Sequence, residues 1–292
     1  MSLLTPTNGT TLDHPVAVWD SGVGGLSVLR HLRQQLPQEN FLYFADQAHV
    51  PYGPRPLSEI REFGRGLIHF LQQQQAKALV IACNTASAAA LTFLRQQFPQ
   101  FPIIGMEPAI KPAAQTTQTG HIGVLATTGT FTSERYAQLM ARFAPHIQVW
   151  EDPCIGLVTA IEAGHINTDD TANLLRAIVT PMLNARVDTI VLGCTHYPFI
   201  TPLLTKITGP HVTIIDPAPA VARHTAHVLR QHQLLRPVIT TTNSPQLTLM
   251  TSGATHQLEQ VLPFLWGSAE RVVAVGWANG RLWTSPPSSI IP

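Results

Sequence analysis

Three lysines and three cysteines in 292 residues, with only 12% of the chain charged, narrow the reading at once. Eighteen basic residues against 17 acidic ones leave a formal charge of +1. That balance gives no electrostatic footprint for nucleic acid or for an anionic membrane surface. No apolar run approaches the ~18 residues that a membrane-spanning helix needs, so no membrane partner is expected. Met1 to His14 lacks a basic start and a long apolar stretch, so it does not read as a signal peptide. It reads as a disordered lead-in or a regulatory arm. An odd cysteine count without framework spacing excludes a disulfide scaffold and fits free thiols in a reducing, cytoplasmic setting. Lys77, Lys111 and Lys206 stand in no site-like motif. Pyridoxal phosphate chemistry, which needs a lysine Schiff base, has no evident anchor, and no cofactor is expected.

What is present is a sizeable apolar fraction, 45%, arranged in short β-branched runs that alternate with helical patterns. Strands are expected at His14–Trp19, Phe41–Phe44, Ala78–Ala82 and Pro102–Gly105, with helices between them. The alternation predicts an α/β fold with parallel sheets covered by helices. The pattern then restarts. The run from His121 to Thr128 resembles the run from Val16 to Gly22, and Ile104-Gly105-Met106-Glu107-Pro108-Ala109 is echoed by Ile214-Ile215-Asp216-Pro217-Ala218. This reads as an internal duplication with a period of roughly 110 residues, far above a solenoid repeat. The expected architecture is two pseudo-symmetric α/β domains with a site in the cleft between them. The first takes residues 15–107 plus 217–267 and the second takes 108–216. Residues 1–14 and 271–292 are expected to be poorly ordered or peripheral, with a hairpin around Asn279-Gly280.

Two cysteines occupy the same place in the two halves. Cys83 follows Leu79-Val80-Ile81-Ala82 and precedes Asn84-Thr85-Ala86-Ser87, while Cys194 follows Ile190-Val191-Leu192-Gly193 and precedes Thr195-His196-Tyr197-Pro198. Each ends an apolar strand and is followed by residues suited to a helix start, where the peptide dipoles favour a thiolate. Cys83, Cys194 and His196 together offer three metal ligands, but no fourth is evident. Two thiols facing one ligand suit proton removal on one face of a carbon and proton return on the other.

The glycine-rich turn Asp20-Ser21-Gly22-Val23-Gly24-Gly25-Leu26-Ser27, with Asp46 closing the next strand, invites a dinucleotide reading. Ser27 at the third glycine position and a carboxylate at the strand end, facing any pyrophosphate, argue against it. The alternative is a turn whose Asp20 and Ser21 line the cleft and whose N–H groups are free to hold a small carboxylate.

The motifs from Val18 to Leu26, Tyr43-Phe44-Ala45-Asp46 with Val50-Pro51-Tyr52-Gly53, Ala82 to Ser87, and Gly193 to Pro198 together resemble the glutamate racemase family, within the aspartate/glutamate racemase superfamily. The resemblance runs from about Val16 to Gly267. It implies a cofactor-independent isomerase that interconverts L- and D-glutamate and supplies D-glutamate to bacterial peptidoglycan, as a cytoplasmic homodimer. It implies that Cys83 and Cys194 are the two acid/base residues. Asp20, Ser21, Tyr52, Gly53, Asn84, Thr85, Thr195 and His196 are then the substrate-contacting residues. Asp20 and His196 have no counterpart in the other half, so Asp20 is expected to serve Cys83 and His196 to serve Cys194. Glu162 matches a helper carboxylate of the family, but its run, Cys154-Ile155-Gly156-Leu157-Val158-Thr159-Ala160-Ile161, departs from the family's Cys-Pro and Pro-containing helix. A solvated helix face accounts for Glu162 equally, and Cys154 reads as structural. Relatives that act on aspartate or a hydantoin tend to carry a different residue, often an acid, at the place of His196. A non-catalytic module that clamps a small carboxylate leaves the mirrored cysteines unexplained.

Overall fold

The structure, a computed structural model, describes residues 11–237 and 244–284. Residues 1–10 of the expected lead-in and 285–292 of the expected tail lie outside the described residues. Eleven strands are formed among those described: β1 (Val16–Asp20), β2 (Phe41–Ala45), β3 (Ala78–Ile81), β4 (Ile103–Ile104), β5 (His121–Leu125), β6 (Gln148–Asp152), β7 (Thr189–Leu192), β8 (Thr213–Ile215), β9 (Leu247–Thr251), β10 (Val272–Ala278) and β11 (Arg281–Thr284). They build two sheets, in the orders β11-β10-β9-β2-β1-β3-β4 and β6-β5-β7-β8. Within each, the shared core runs second, first, third, fourth strand, and every pairing in that core is parallel. Strand starts at 16, 41, 78 and 103 are matched by starts at 121, 148, 189 and 213. The repetition read in the sequence is therefore a repetition of topology.

The central strands are buried along their whole length because helices cover both faces. In β1 the side chains alternate between two apolar clusters: Val16 and Val18 join one, Ala17 and Trp19 the other. The helix Leu26–Gln35 packs on the helix Ala218–Gln231, and the helix Leu57–Gln73 packs on Asn84–Gln97. The chain beyond Pro217 thus returns to the first sheet, where β9 lies beside β2. One apolar cluster crosses between the domains, joining Val23 and Leu26 to Leu157, Ile161 and Tyr197.

Both ends of the described chain are better anchored than expected. Thr11–Asp13 forms a short 3₁₀ turn, tied by Arg236 Nε to Asp13 at 2.9 Å and by Lys77 Nζ to the Leu12 carbonyl at 2.6 Å. The segment 272–284 is not a loose tail. β10 pairs in parallel with β9, and β11 returns antiparallel through the Asn279-Gly280 turn. Its order follows from burial: Val272, Val275 and Leu282 are inside, and the Trp277 indole donates to the buried Asp46 at 2.7 Å.

Candidate active site

Strand β3 ends one residue before Ala82-Cys83, and Cys83 is the N-cap of the helix Asn84–Gln97. Its backbone is extended, at φ −143° and ψ 121°, and its sulfur accepts the Ala86 amide at 3.5 Å. A thiol therefore does the work that a hydroxyl or carboxylate usually does at a helix start. Ser87 fixes the turn by donating to the Ile81 carbonyl at 3.2 Å and accepting the Met106 amide at 3.0 Å. Cys194 stands at the matching end of β7, but the chain there makes a turn and then a 3₁₀ segment, Tyr197–Ile200, before the next α-helix begins at Thr201. Pro198, which has no N–H to offer, sits in that first turn. The Cys194 sulfur faces an imidazole instead: His196 Nδ1 is 3.6 Å away. The two thiols are thus presented alike by the sheets and served differently by their surroundings.

Both thiols line one cavity of about 330 Å³ between the domains. Of the residues expected at the site, Ser21, Tyr52, Gly53, Cys83, Asn84, Thr85, Cys194, Thr195 and His196 are on its wall. Asn84 is buried, and among the described residues its side-chain Nδ2 and Oδ1 have no protein partner. A buried amide with both ends unpaired is costly unless a bound molecule satisfies it. Among the described residues, no lysine or arginine lines the cavity. The donors that its wall offers to an anion are helix-start amides and hydroxyls.

Asp20 and Glu162 are not on the wall; they stand behind it. Asp20 is fully buried, and its carboxylate accepts the Gly22 amide at 2.9 Å and the Thr195 hydroxyl at 3.2 Å. It thereby ties the first domain to the residue after Cys194, while its charge also bears on Cys83. Glu162 is no solvated helix residue. Its carboxylate accepts His196 Nε2 at 2.6 Å, the Val23 amide at 2.7 Å and Gln47 Nε2 at 3.2 Å. A chain of contacts, Cys194–His196–Glu162, runs back from the cavity into the first domain.

This assigns the glycine-rich turn a different use. Two of its N–H groups are committed within the protein: Gly22 serves Asp20 and Val23 serves Glu162. A Cβ on Gly22 would sit 2.0 Å from Glu162 Oε1, and one on Gly24 would sit 2.5 Å from His196 Nδ1. The glycines leave room for side chains of the other domain. Ser27, at the third fingerprint position, bonds the carbonyls of Gly24 and Thr195, each at 2.8 Å. Nor is Asp46 free for a ribose. It is buried and accepts from Tyr52 at 2.5 Å, from Ser252 and Trp277 at 2.7 Å each, and from His49 at 2.9 Å.

The electrostatics follow from these contacts. Burial raises the Cys83 thiol, and the Asp20 charge adds to the rise against the Ala86 amide. Burial likewise raises Asp20, opposed by His196 and the Gly22 amide. For His196, burial favours the neutral ring, but hydrogen bonds to Cys194 and Glu162 and their charges lift it well above the ordinary histidine range. For Glu162, burial pushes upward, and His196, the Val23 amide and Gln47 together hold it below the usual carboxylate range. An imidazolium clamped between a carboxylate and a thiol is suited to hold or pass a proton at that sulfur.

From the sequence alone, no site role attaches to the wall residues Pro51, Pro54, Thr127, Thr128, Pro153, Ile155, Gly156, Val158 and Thr159, and Cys154 reads as structural. The duplication was the signal for Thr127, which lies two residues past β5, close to the place that Ser21 takes one residue past β1. Thr127 shares hydroxyl contacts with Thr85 at 2.8 Å and Thr130 at 3.2 Å, joining the two sides of the cavity wall. Cys154 is buried beside Asp152 yet reaches the cavity wall.

Residues 24–225 match the sequence model of the Asp/Glu/Hydantoin racemase family. A glutamate racemase of Pseudomonas aeruginosa is 50% identical over 257 residues, spanning 88% of this chain and 96% of the relative. The solved structure of glutamate racemase isoform RacE1 from Bacillus anthracis is similar at a TM-score of 0.78 and 34% identity, covering 90% of this chain and 98% of that one. The Escherichia coli glutamate racemase, solved with L-glutamate and the activator UDP-MurNAc-Ala, gives a TM-score of 0.77 at 33% identity, covering 89% and 97%.

Proposed function

This chain belongs to the Asp/Glu/hydantoin racemase family and is an isomerase of amino acids, and from that premise we propose that it interconverts L- and D-glutamate by two-base proton transfer between Cys83 and Cys194. The observation that carries the reading is the pair of free thiols at equivalent strand ends of two alike sheets, both lining one buried cavity. One sulfur, as thiolate, takes the α-proton. The carbanion flattens, and the thiol on the opposite face returns a proton. One C–H bond breaks and one forms, and the thiol and thiolate exchange places.

In this reading the α-carbon is acidified without a Schiff base, and among the described residues no lysine lines the cavity. The enzyme must do this with donors aimed at the substrate carboxylates in a site shut from water. The amides that open the helix after Cys83, the unpaired side chain of Asn84, and the hydroxyls of Ser21, Thr85 and Thr195 supply those donors. Tyr52 and Gly53 form the wall on the first-domain side. Asp20 and Glu162 act through other groups. Asp20 orients Thr195 and places charge near Cys83, and Glu162 orients His196 against Cys194. The similarity to glutamate racemases at about half identity favours glutamate over aspartate. With it comes supply of D-glutamate to peptidoglycan, by a cytoplasmic homodimer whose three thiols stay reduced.

The test is exchange of the α-hydrogen of glutamate with solvent deuterium by the reduced protein, with no cofactor added and with aspartate and glutamine alongside. Exchange confined to glutamate supports the reading, and no exchange with either enantiomer refutes it. Cys83→Ala and Cys194→Ala each abolish racemisation while circular dichroism stays that of the folded protein. Near-normal turnover in either variant rules out two bases.

A further inference from the structure

We infer that Gln47 is a positioning residue: it holds Glu162, which holds His196 against Cys194, and it fastens this chain of contacts to β9 through Thr251. The inference rests on the racemase reading but adds a residue from outside the cavity wall. Gln47 lies just past β2, and its Nε2 donates to Glu162 Oε2 at 3.2 Å. Its Oε1 accepts the Thr251 hydroxyl at 2.9 Å. Thr251 Oγ1 in turn accepts the Gly253 amide at 3.0 Å, which anchors the hydroxyl that Gln47 meets.

The Glu162 carboxylate fixes which way the amide points, because the Thr251 hydroxyl can serve either end. With Oε1 turned to Thr251, the NH₂ end must face Glu162, and an ionised carboxylate accepts only from that end. The opposite orientation sets two acceptors against each other. The placement is close-fitting as well: a Cβ on Gly253 would come 2.8 Å from Gln47 Cβ, so this turn leaves room for the side chain. Glu162 Oε1 is shared by Val23 and His196, and Oε2 is the oxygen that Gln47 holds. Without Gln47, the carboxylate is free to rotate away from the line to His196. The other charged or titratable groups near this pair are Cys194 and Asp20, on the His196 side, and Tyr43, near Glu162. None of them donates to Oε2.

The experiment compares Gln47→Ala, Thr251→Val and Thr251→Ser in the full chain. Two readouts are taken: glutamate racemisation, and the ¹⁵N titration of the His196 ring without substrate. Gln47→Ala is expected to lower kcat about 5- to 10-fold with KM changed less than twofold, and to move the His196 midpoint down toward the ordinary histidine value. Thr251→Val shows the same two changes in smaller measure, and Thr251→Ser, which keeps the hydroxyl, recovers them. In a Glu162→Gln background, Gln47→Ala adds nothing. An unchanged His196 midpoint in Gln47→Ala, or a loss shared equally by Thr251→Ser, overturns the inference. The racemase reading fails separately, if the unaltered protein does not racemise glutamate while its His196 titration still responds to Gln47.

Discussion

Alanine at Gly22 tests whether the glycine turn is a socket for Glu162. Gly22 does not use a left-handed backbone, so alanine is allowed there by conformation. What it meets is the Glu162 carboxylate, at 2.0, 2.7 and 2.9 Å from Oε1, Cδ and Oε2. A glutamate end is flexible, so the carboxylate swings out and the fold survives. The contacts at 2.6 Å to His196 and 2.7 Å to Val23 are then lost. A hydrogen bond to a charged group is worth about 1.5–3 kcal/mol. At about 1.4 kcal/mol per decade, losing the His196 contact costs about 10- to 150-fold in kcat. Glu162→Ala loses the same contact by another route. The double variant Gly22→Ala/Glu162→Ala has no clash left to relieve. It should therefore turn over within about threefold of Glu162→Ala alone, because the two changes strike one interaction. Racemisation followed by circular dichroism, with melting temperatures for all four proteins, completes the cycle. Two losses that multiply, or a Gly22→Ala enzyme within threefold of the unaltered one, would refute the socket.

Glu162 is held below its ordinary range and His196 above its own, so their pairing stabilises the fold most between about pH 4.5 and 6.5. Its share falls away as pH drops through the folded Glu162 value, and again as pH rises through the folded His196 value. The melting-temperature gap between the unaltered protein and Glu162→Gln should be widest in that window and narrow on both sides. Lys77 and Glu39 form a fully buried pair at 2.5 Å, far from the cavity. Lys77→Met should cost about 3–5 kcal/mol in denaturant unfolding, Lys77→Met/Glu39→Leu should recover most of it, and kcat should hold in both. Gly129→Ala would set a methyl 2.8 Å from the Gly53 carbonyl, where the domains meet at the cavity mouth. Backbone cannot step aside as a side chain can, so steady-state kinetics should show a raised KM and a lowered kcat together.

Periodicity and duplication made the architecture legible. Short apolar runs ending in polar residues located β1, β3, β5 and β7, and matched runs placed Cys83 and Cys194 at equivalent edges. Partners that lie far apart in the chain were not legible. Nothing local to Glu162 tells that it meets Val23, 139 residues away, because that meeting depends on how two domains dock. The same limit hid the role of Asp46, whose donors Ser252 and Trp277 come from the far end of the chain. The hairpin around Asn279-Gly280 was legible, but the anchoring of the segment 272–284 was not, because β9 and Asp46, which receive it, lie elsewhere in the chain.

The two sulfurs differ in what attends them: a backbone amide at a helix start for Cys83, an imidazole for Cys194. Enantiomers have equal free energies in water, so a racemase must leave them at an equilibrium constant of one. Catalytic efficiency in the two directions is therefore equal, however lopsided the surroundings. The asymmetry has to surface elsewhere, in kcat and KM shifting together for one enantiomer. It also means that a flat analogue of the carbanion meets two unlike faces in a pocket built by near-symmetry, and its two sides can be elaborated independently.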